Sequence, residues 1–115
     1  TTPTAHPVLN EDAIHLVAAR FRALGDPSRI RLLNLLMQGE SSVQGLVEAS
    51  GMTQTNVSRH LGLLRREGVV VRKKEGKRAV YRIADPHIEE LCLLVCGAIE
   101  VHLAEGLGAL QGQGI

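Results

Sequence analysis

The feature that most constrains this chain is a change in its apolar period at Gly68. Before Gly68, apolar residues recur at three- and four-residue steps, as they do on one face of an α-helix. After it, the runs VVVRKK and KRAVYRI are typical of two short β-strands, and Ala79, Tyr81 and Ile83 alternate with their neighbours as the half-buried side of a strand. The predicted fold is therefore mainly α with one small β-hairpin (α+β).

Capping residues and glycines divide the part before Gly68 into four predicted helices. Asp, Ser and Thr side chains accept hydrogen bonds from the free N–H groups of a first turn, and Pro is tolerated at the first helical position. The predicted starts are Asn10, Asp26-Pro27, Ser41-Ser42 and Thr53. Asp85-Pro86 repeats the signal and begins a last helix that runs to about Leu103 or beyond. The two short central helices, joined by a glycine-containing turn, match a helix-turn-helix.

Charge is distributed unevenly along the 115 residues, although the formal net charge is only +1. Residues 53–83 contain nine basic and two acidic residues, which gives this segment a charge of +7. The rest of the chain carries −6. This segregation predicts a polyanionic partner for one segment only.

The helix predicted from Thr53 to Glu67 has two different faces. Val57, Leu61 and Leu64 share an apolar face, which should anchor the helix to the core. The opposite face carries polar and cationic side chains and no bulky apolar one, which suits the major groove of DNA. A solvated surface is the alternative for this helix alone, but the basic hairpin beside it favours DNA. The predicted DNA contacts are Gln54, Thr55, Ser58 and Arg59 at base edges, His60 at a phosphate, Arg66 on the same face, and Arg72, Lys73, Lys74, Lys77 and Arg78 on the hairpin.

The segments LGDPSRIRLLNLL and MTQTNVSRHLGLLRREGVVVRKKEGKRAVYRIAD resemble the ArsR/SmtB group of bacterial repressors. The similarity is continuous from about Ala23 to Asp85 and looser in the terminal helices. It implies a winged helix-turn-helix protein that forms a homodimer through its first and last helices. It also implies repression that a metal, metalloid or redox signal relieves. The last helix has an apolar arc of roughly 180°, which is wide enough to pack against both its own core and a helix of a second chain. A two-fold dimer would also double the length of DNA that is read.

Two metal sites of that family can be compared with this sequence. Asp85, His87, His102 and Glu105 resemble the ligand set of its zinc sensors, and such ligands suit zinc or nickel at a dimer interface. Fourteen residues separate the two histidines, about one helical turn more than in the family, which shifts the register of an antiparallel partner. The thiol pair of the arsenic and cadmium sensors is absent, because the corresponding stretch reads SVQG.

Cys92 and Cys96 lie on one face of the last helix, about 6 Å apart along its axis. A disulfide between them would be strained, whereas two thiolates could bind a soft ion if a partner supplied more ligands. Both cysteines lie on the apolar arc, so packing as small hydrophobic side chains is the favoured interpretation. A redox or thiolate site is the alternative, and no cofactor is firmly predicted.

These patterns favour a sequence-specific DNA-binding regulator with an operator as its partner. The alternative is a winged-helix interaction module whose activity depends on a partner protein rather than on its own ligand. An enzyme is not expected, because no nucleophile motif, P-loop or HExxH is present. Without a long apolar run or a signal-peptide pattern, a cytoplasmic protein without a membrane span is expected. The domain is predicted over 10–105, between a flexible arm of residues 1–9 and a flexible tail of residues 106–115.

Overall fold

Four helices, a hairpin and a fifth helix follow one another in the predicted order. The computed structural model describes residues 8–107 of the chain. The elements are α1 (Glu11–Leu24), α2 (Pro27–Met37), α3 (Val43–Ser50), α4 (Gln54–Arg66), β1 (Val70–Glu75), β2 (Arg78–Ile83) and α5 (His87–Leu107). They form two units, one ending at Ala84 and one beginning at Asp85. Within residues 8–107, no helix is long and apolar enough to cross a bilayer.

Side-chain caps start each of the first four helices. The capping oxygens belong to Asn10, Asp26, Ser42 and Thr53, and each accepts a hydrogen bond from a backbone N–H of the first turn. At Asp26, the bonds from the N–H groups of Arg29 and Ser28 hold the pKa of the carboxyl below its usual value. Gly51 ends α3 at φ 75°, a left-handed conformation that glycine adopts without a Cβ clash. The chain then enters α4 within three residues, which confirms the helix-turn-helix.

The core of the first unit depends on one face of α4. Val57, Leu61 and Leu64 are each fully buried, as their spacing predicts. Leu32 and Leu33 of α2 are equally buried, and α2 packs against both α3 and α4. Burial of each such side chain contributes about 1.5–3 kcal/mol, so α4 is anchored along most of its length.

The hairpin pairs β1 with β2 in antiparallel register, from Val70 opposite Ile83 to Glu75 opposite Arg78. Gly76, at φ 64°, begins the two-residue turn between them. Backbone hydrogen bonds also join Tyr81 to Ser41, at N···O distances of 2.8 and 3.0 Å, so the hairpin is attached to the segment that precedes α3.

The expected alternation along β2 was wrong at Val80. Val80 is 3% exposed, whereas Ala79, Tyr81 and Ile83 are only partly buried. The reason is that both α2 and α3 pack against β2, so the strand does not have one buried and one solvated side.

The second unit contains α5, which extends to Leu107, two residues beyond the predicted end of the domain. Asp85 Oδ1 accepts a hydrogen bond from the backbone N–H of His87 at 2.9 Å, as a helix-capping carboxylate does. Most of the arm predicted for residues 1–9, and all but the start of the tail predicted from residue 106, lie outside the described residues.

Candidate nucleic-acid interface

The outer face of α4 brings together the residues predicted to read base edges. Gln54, Thr55, Ser58 and Arg59 are all exposed, while the apolar anchors of the helix face inward. The four side chains belong to the first two turns, which in a helix-turn-helix are the turns nearest the bases. Arg66 is exposed at the other end of α4.

The Arg59 guanidinium is oriented by a neighbour that the sequence prediction missed. Its Nη2 donates to Oδ1 of Asn56, one turn earlier, at 3.2 Å. The three-residue spacing was the available signal, because side chains three positions apart on a helix lie next to each other. Asn56 therefore belongs to the exposed polar face of α4.

His60 does not lie where a phosphate contact requires it. The residue is only 5% exposed, and its Nδ1 lies 3.2 Å from Nη1 of Arg29. Burial lowers the pKa of His60, and the nearby charge of Arg59 lowers it further, so the ring is neutral at pH 7. A buried, neutral imidazole is a poor phosphate ligand, and His60 is accordingly left out of the candidate interface.

The cations of the hairpin differ in what surrounds them. Lys73 is paired with Glu40 at 3.6 Å and with Glu75 at 3.3 Å. Lys74 and Arg72 instead line an open cleft of about 360 Å³ with Arg65 from the last turn of α4. Among residues 8–107, the side chains that line this cleft include no carboxylate, and we call it the cationic cleft.

Arg65 was not among the predicted contacts, because helical azimuth alone does not place it beside β1. Lys77 and Arg78, which were predicted, are exposed at the hairpin tip.

The four predicted metal ligands do not meet within one chain. His87 and His102 both lie on α5. They are fifteen positions apart in sequence, with fourteen residues between them, which is about 22 Å along the helix axis. Between residues 8 and 107, no group of three or more His, Cys, Asp or Glu side chains could hold a metal ion. A site made from Asp85, His87, His102 and Glu105 therefore needs ligands from two chains.

Both cysteines are free thiols with raised pKa values. Burial raises the pKa of Cys92, which is partly exposed. At Cys96 the main cause is the thiol's hydrogen bond to Oε1 of Glu100, at 3.4 Å, together with the charge of that carboxylate. A raised pKa leaves less thiolate, which is the nucleophilic form of cysteine, so the shift by itself gives neither thiol added reactivity.

Comparison with known sequences places this fold among bacterial regulators. Residues 26–71, from the start of α2 into β1, match the model of the family described as bacterial regulatory protein, arsR family. The uncharacterised HTH-type transcriptional regulator Rv0081 of Mycobacterium tuberculosis is 35% identical over 89% of this chain and 90% of its own length. A probable mercury resistance operon repressor of Streptomyces lividans is 36% identical over 80% of this chain and 68% of its own length.

Solved structures agree with the sequence comparison. The crystal structure of M. tuberculosis Rv0081 superposes with a TM-score of 0.78 at 35% identity, covering 85% of this chain and 99% of that one. The winged helix-turn-helix domain of Mb0332 from Mycobacterium bovis, described as homodimeric, gives a TM-score of 0.74 at 36% identity, over 80% and 85% of the two chains. With its winged helix-turn-helix and these relatives, the chain belongs to the arsR family of bacterial regulatory proteins.

Proposed function

We propose that this protein is a homodimeric repressor that binds operator DNA with α4 in the major groove. The observation that carries the proposal is the division of α4 into a buried apolar face and an exposed face of base-reading side chains. Arg can bind guanine through two hydrogen bonds, and Gln can do the same with adenine. The exposed residues proposed for base readout are Gln54, Thr55, Ser58 and Arg59.

The cationic cleft supports a second set of contacts, to the DNA backbone. Arg65, Arg72 and Lys74 are the described residues that line it, so a phosphate in the cleft would meet three positive charges. Lys77, Arg78 and Arg66 are exposed cations and are proposed as further backbone contacts. Lys73 is a weaker candidate, because it must leave Glu40 and Glu75 before it can contact a phosphate. Such contacts give affinity and salt dependence, but no sequence preference.

Exposed apolar side chains on α1 and α5 support the dimer. Phe21 of α1 is 57% exposed, and Leu94 and Val101 of α5 are 71% and 60% exposed. Several large apolar side chains exposed on one helix, as on α5, are typical of a protein interface. A second copy is the proposed occupant, because a two-fold pair places two copies of α4 on two half-sites.

The proposed inducing signal is a metal ion held between two chains. Asp85 and His87 of one chain and His102 and Glu105 of the other are ligands that suit zinc or nickel. The mercury resistance relative supports a metal response in general. Metal analysis of the purified protein after dialysis against Zn(II) and Ni(II) tests this part separately. Less than one ion per dimer with either metal, or unchanged DNA affinity after loading, contradicts it.

The DNA-binding proposal is tested by selecting duplexes from a randomised pool with the wild-type protein. Arg59→Ala should weaken binding to the selected duplex about 5- to 100-fold more than binding to a random duplex, because a base contact is lost. Arg31→Ala, an exposed arginine of α2, is the matched control and should change neither affinity. Failure to select any sequence, or equal losses on both duplexes, contradicts direct readout by α4.

A further inference from the structure

Arg29 joins the end of α1 to the DNA-reading helix α4. Its Nε donates to the carbonyl oxygen of Ala23 at 2.6 Å, and its Nη2 donates to that of Arg22 at 3.0 Å. These carbonyls lie at the C-terminal end of α1, where the last carbonyl oxygens of a helix have no N–H donors within the helix. The remaining nitrogen, Nη1, lies 3.2 Å from Nδ1 of His60 in α4.

The other nitrogen of the His60 ring faces a second arginine. Its Nε2 lies 3.5 Å from Nη2 of Arg59. A neutral imidazole has one donor and one acceptor nitrogen, and a guanidinium is a donor only. The ring can therefore accept a hydrogen bond from Arg29 or from Arg59, but not from both.

The geometry favours Arg29 in this competition. Arg29 is held by two carbonyl oxygens and makes the shorter contact with the ring. Acceptance at Nδ1 leaves the ring proton on Nε2, where it faces the Arg59 guanidinium and cannot bind it. Arg59 then keeps only its bond to Asn56, on the exposed face of the helix.

We propose that Arg29 and His60 are positioning residues for sequence readout: Arg29 occupies Nδ1 of His60, so that the ring does not capture Arg59 through Nε2. This inference rests on the proposed function, because it assigns Arg59 to a base. In the opposite tautomer, Nε2 would accept from Arg59 and hold the guanidinium against the protein. Arg29 thus acts on DNA specificity through His60 and Arg59, without contacting DNA itself.

A double-mutant experiment separates positioning from a purely structural role. Arg29→Met frees the ring to accept from Arg59, and should lower the ratio of selected-duplex to random-duplex affinity about tenfold, as for one lost base contact. Adding His60→Leu removes the competing acceptor. The affinity ratio of the double variant should then be within about twofold of the ratio of His60→Leu alone. This recovery is expected although the double variant has lost more hydrogen bonds than Arg29→Met. A double variant that discriminates no better than Arg29→Met overturns the proposal.

The ring tautomer can also be measured without any variant. In ¹⁵N NMR spectra of the wild-type protein at pH 7.5, His60 should have a protonated Nε2 and an unprotonated Nδ1. A protonated Nδ1 overturns the proposal. If Arg29→Met does not fold, this NMR measurement of the tautomer still tests the proposal. If the wild type selects no duplex, the proposed function fails. If it selects one and Arg29→Met discriminates equally well, only the present inference fails.

Discussion

The helices α4 and α5 place their apolar residues in opposite environments. In α4 the apolar residues form one narrow face, and Val57, Leu61 and Leu64 on it are fully buried within the first unit. In α5 they extend beyond the predicted arc of about 180° to most of the surface, where large side chains such as Leu93 and Leu94 are 65% and 71% exposed. A helix with a single apolar face is satisfied by its own chain, whereas one that is apolar nearly all round needs further partners.

The same comparison applies to the polar side of each helix. The exposed side of α4 carries Gln54, Ser58 and Arg59, which suit the edges of bases. The polar residues of α5 include Glu89, Glu90 and Glu100, which would repel a phosphate backbone. The two helices are therefore suited to different partners, DNA for α4 and a second chain for α5.

The largest test of this comparison is the truncation of a buried leucine in α4. Leu61→Ala should lower the free energy of unfolding by about 2–5 kcal/mol, because it leaves a cavity in the core. Chemical denaturation measures the loss, which should not depend on protein concentration. Leu94→Ala on α5 is the matched change. The free energy of unfolding that it removes should grow with protein concentration, because the lost contact lies between chains. The same concentration dependence for both variants would remove the distinction between the helices.

The next test places charges on α5. Leu94→Glu combined with Ile99→Glu should raise the dimer dissociation constant more than about tenfold, because carboxylates would be buried without partners. Sedimentation equilibrium measures the constant. Asn34→Glu, at an exposed position of α2, is the control and should leave it unchanged. A double variant that dimerises like the wild type would exclude α5 from the interface.

A smaller effect should distinguish two neighbouring lysines beside α4. Lys74→Ala should flatten the dependence of log affinity on log salt by about 0.9, because one phosphate contact is lost. Lys73→Ala should change the slope less, because Glu40 and Glu75 already neutralise that lysine. Fluorescence anisotropy on a random duplex over a series of salt concentrations provides both slopes. The reverse order would show that the cationic cleft is not the phosphate site.

The smallest expected effect is the pH dependence that His60 confers on the first unit. Its pKa is lowered in the folded state, so its contribution to stability is complete above the unfolded-state pKa of about 6.5 and declines as the pH falls below that value. The free energy of unfolding should therefore fall less between about pH 7.5 and pH 5.5 in His60→Asn than in the wild type. The other histidines are common to both proteins and cancel in the difference. Equal slopes would show that the ring is not buried in a neutral form.

Much of the fold could be predicted because its signals are local. Caps such as Asp26 and Thr53 act on N–H groups within one turn, and the helices begin where these residues predict. The anchoring face of α4 follows from its period alone. The environment of His60 could not be predicted in this way, because its partner Arg29 is 31 positions away in sequence. The ion pair of Lys73 with Glu40 was missed for the same reason.

By itself, the sequence determined the order of the elements, the turn at Gly51, the hairpin and the polar face of α4, because each depends on residues within a few positions of one another. Only the tertiary structure decided which polar residues remain available to a partner. It buries His60 against Arg29, pairs Lys73 with Glu40 and brings Arg65 beside Lys74. Hydrogen bonds and ion pairs act over a few ångströms of space, and folding sets those distances among residues that lie far apart along the chain.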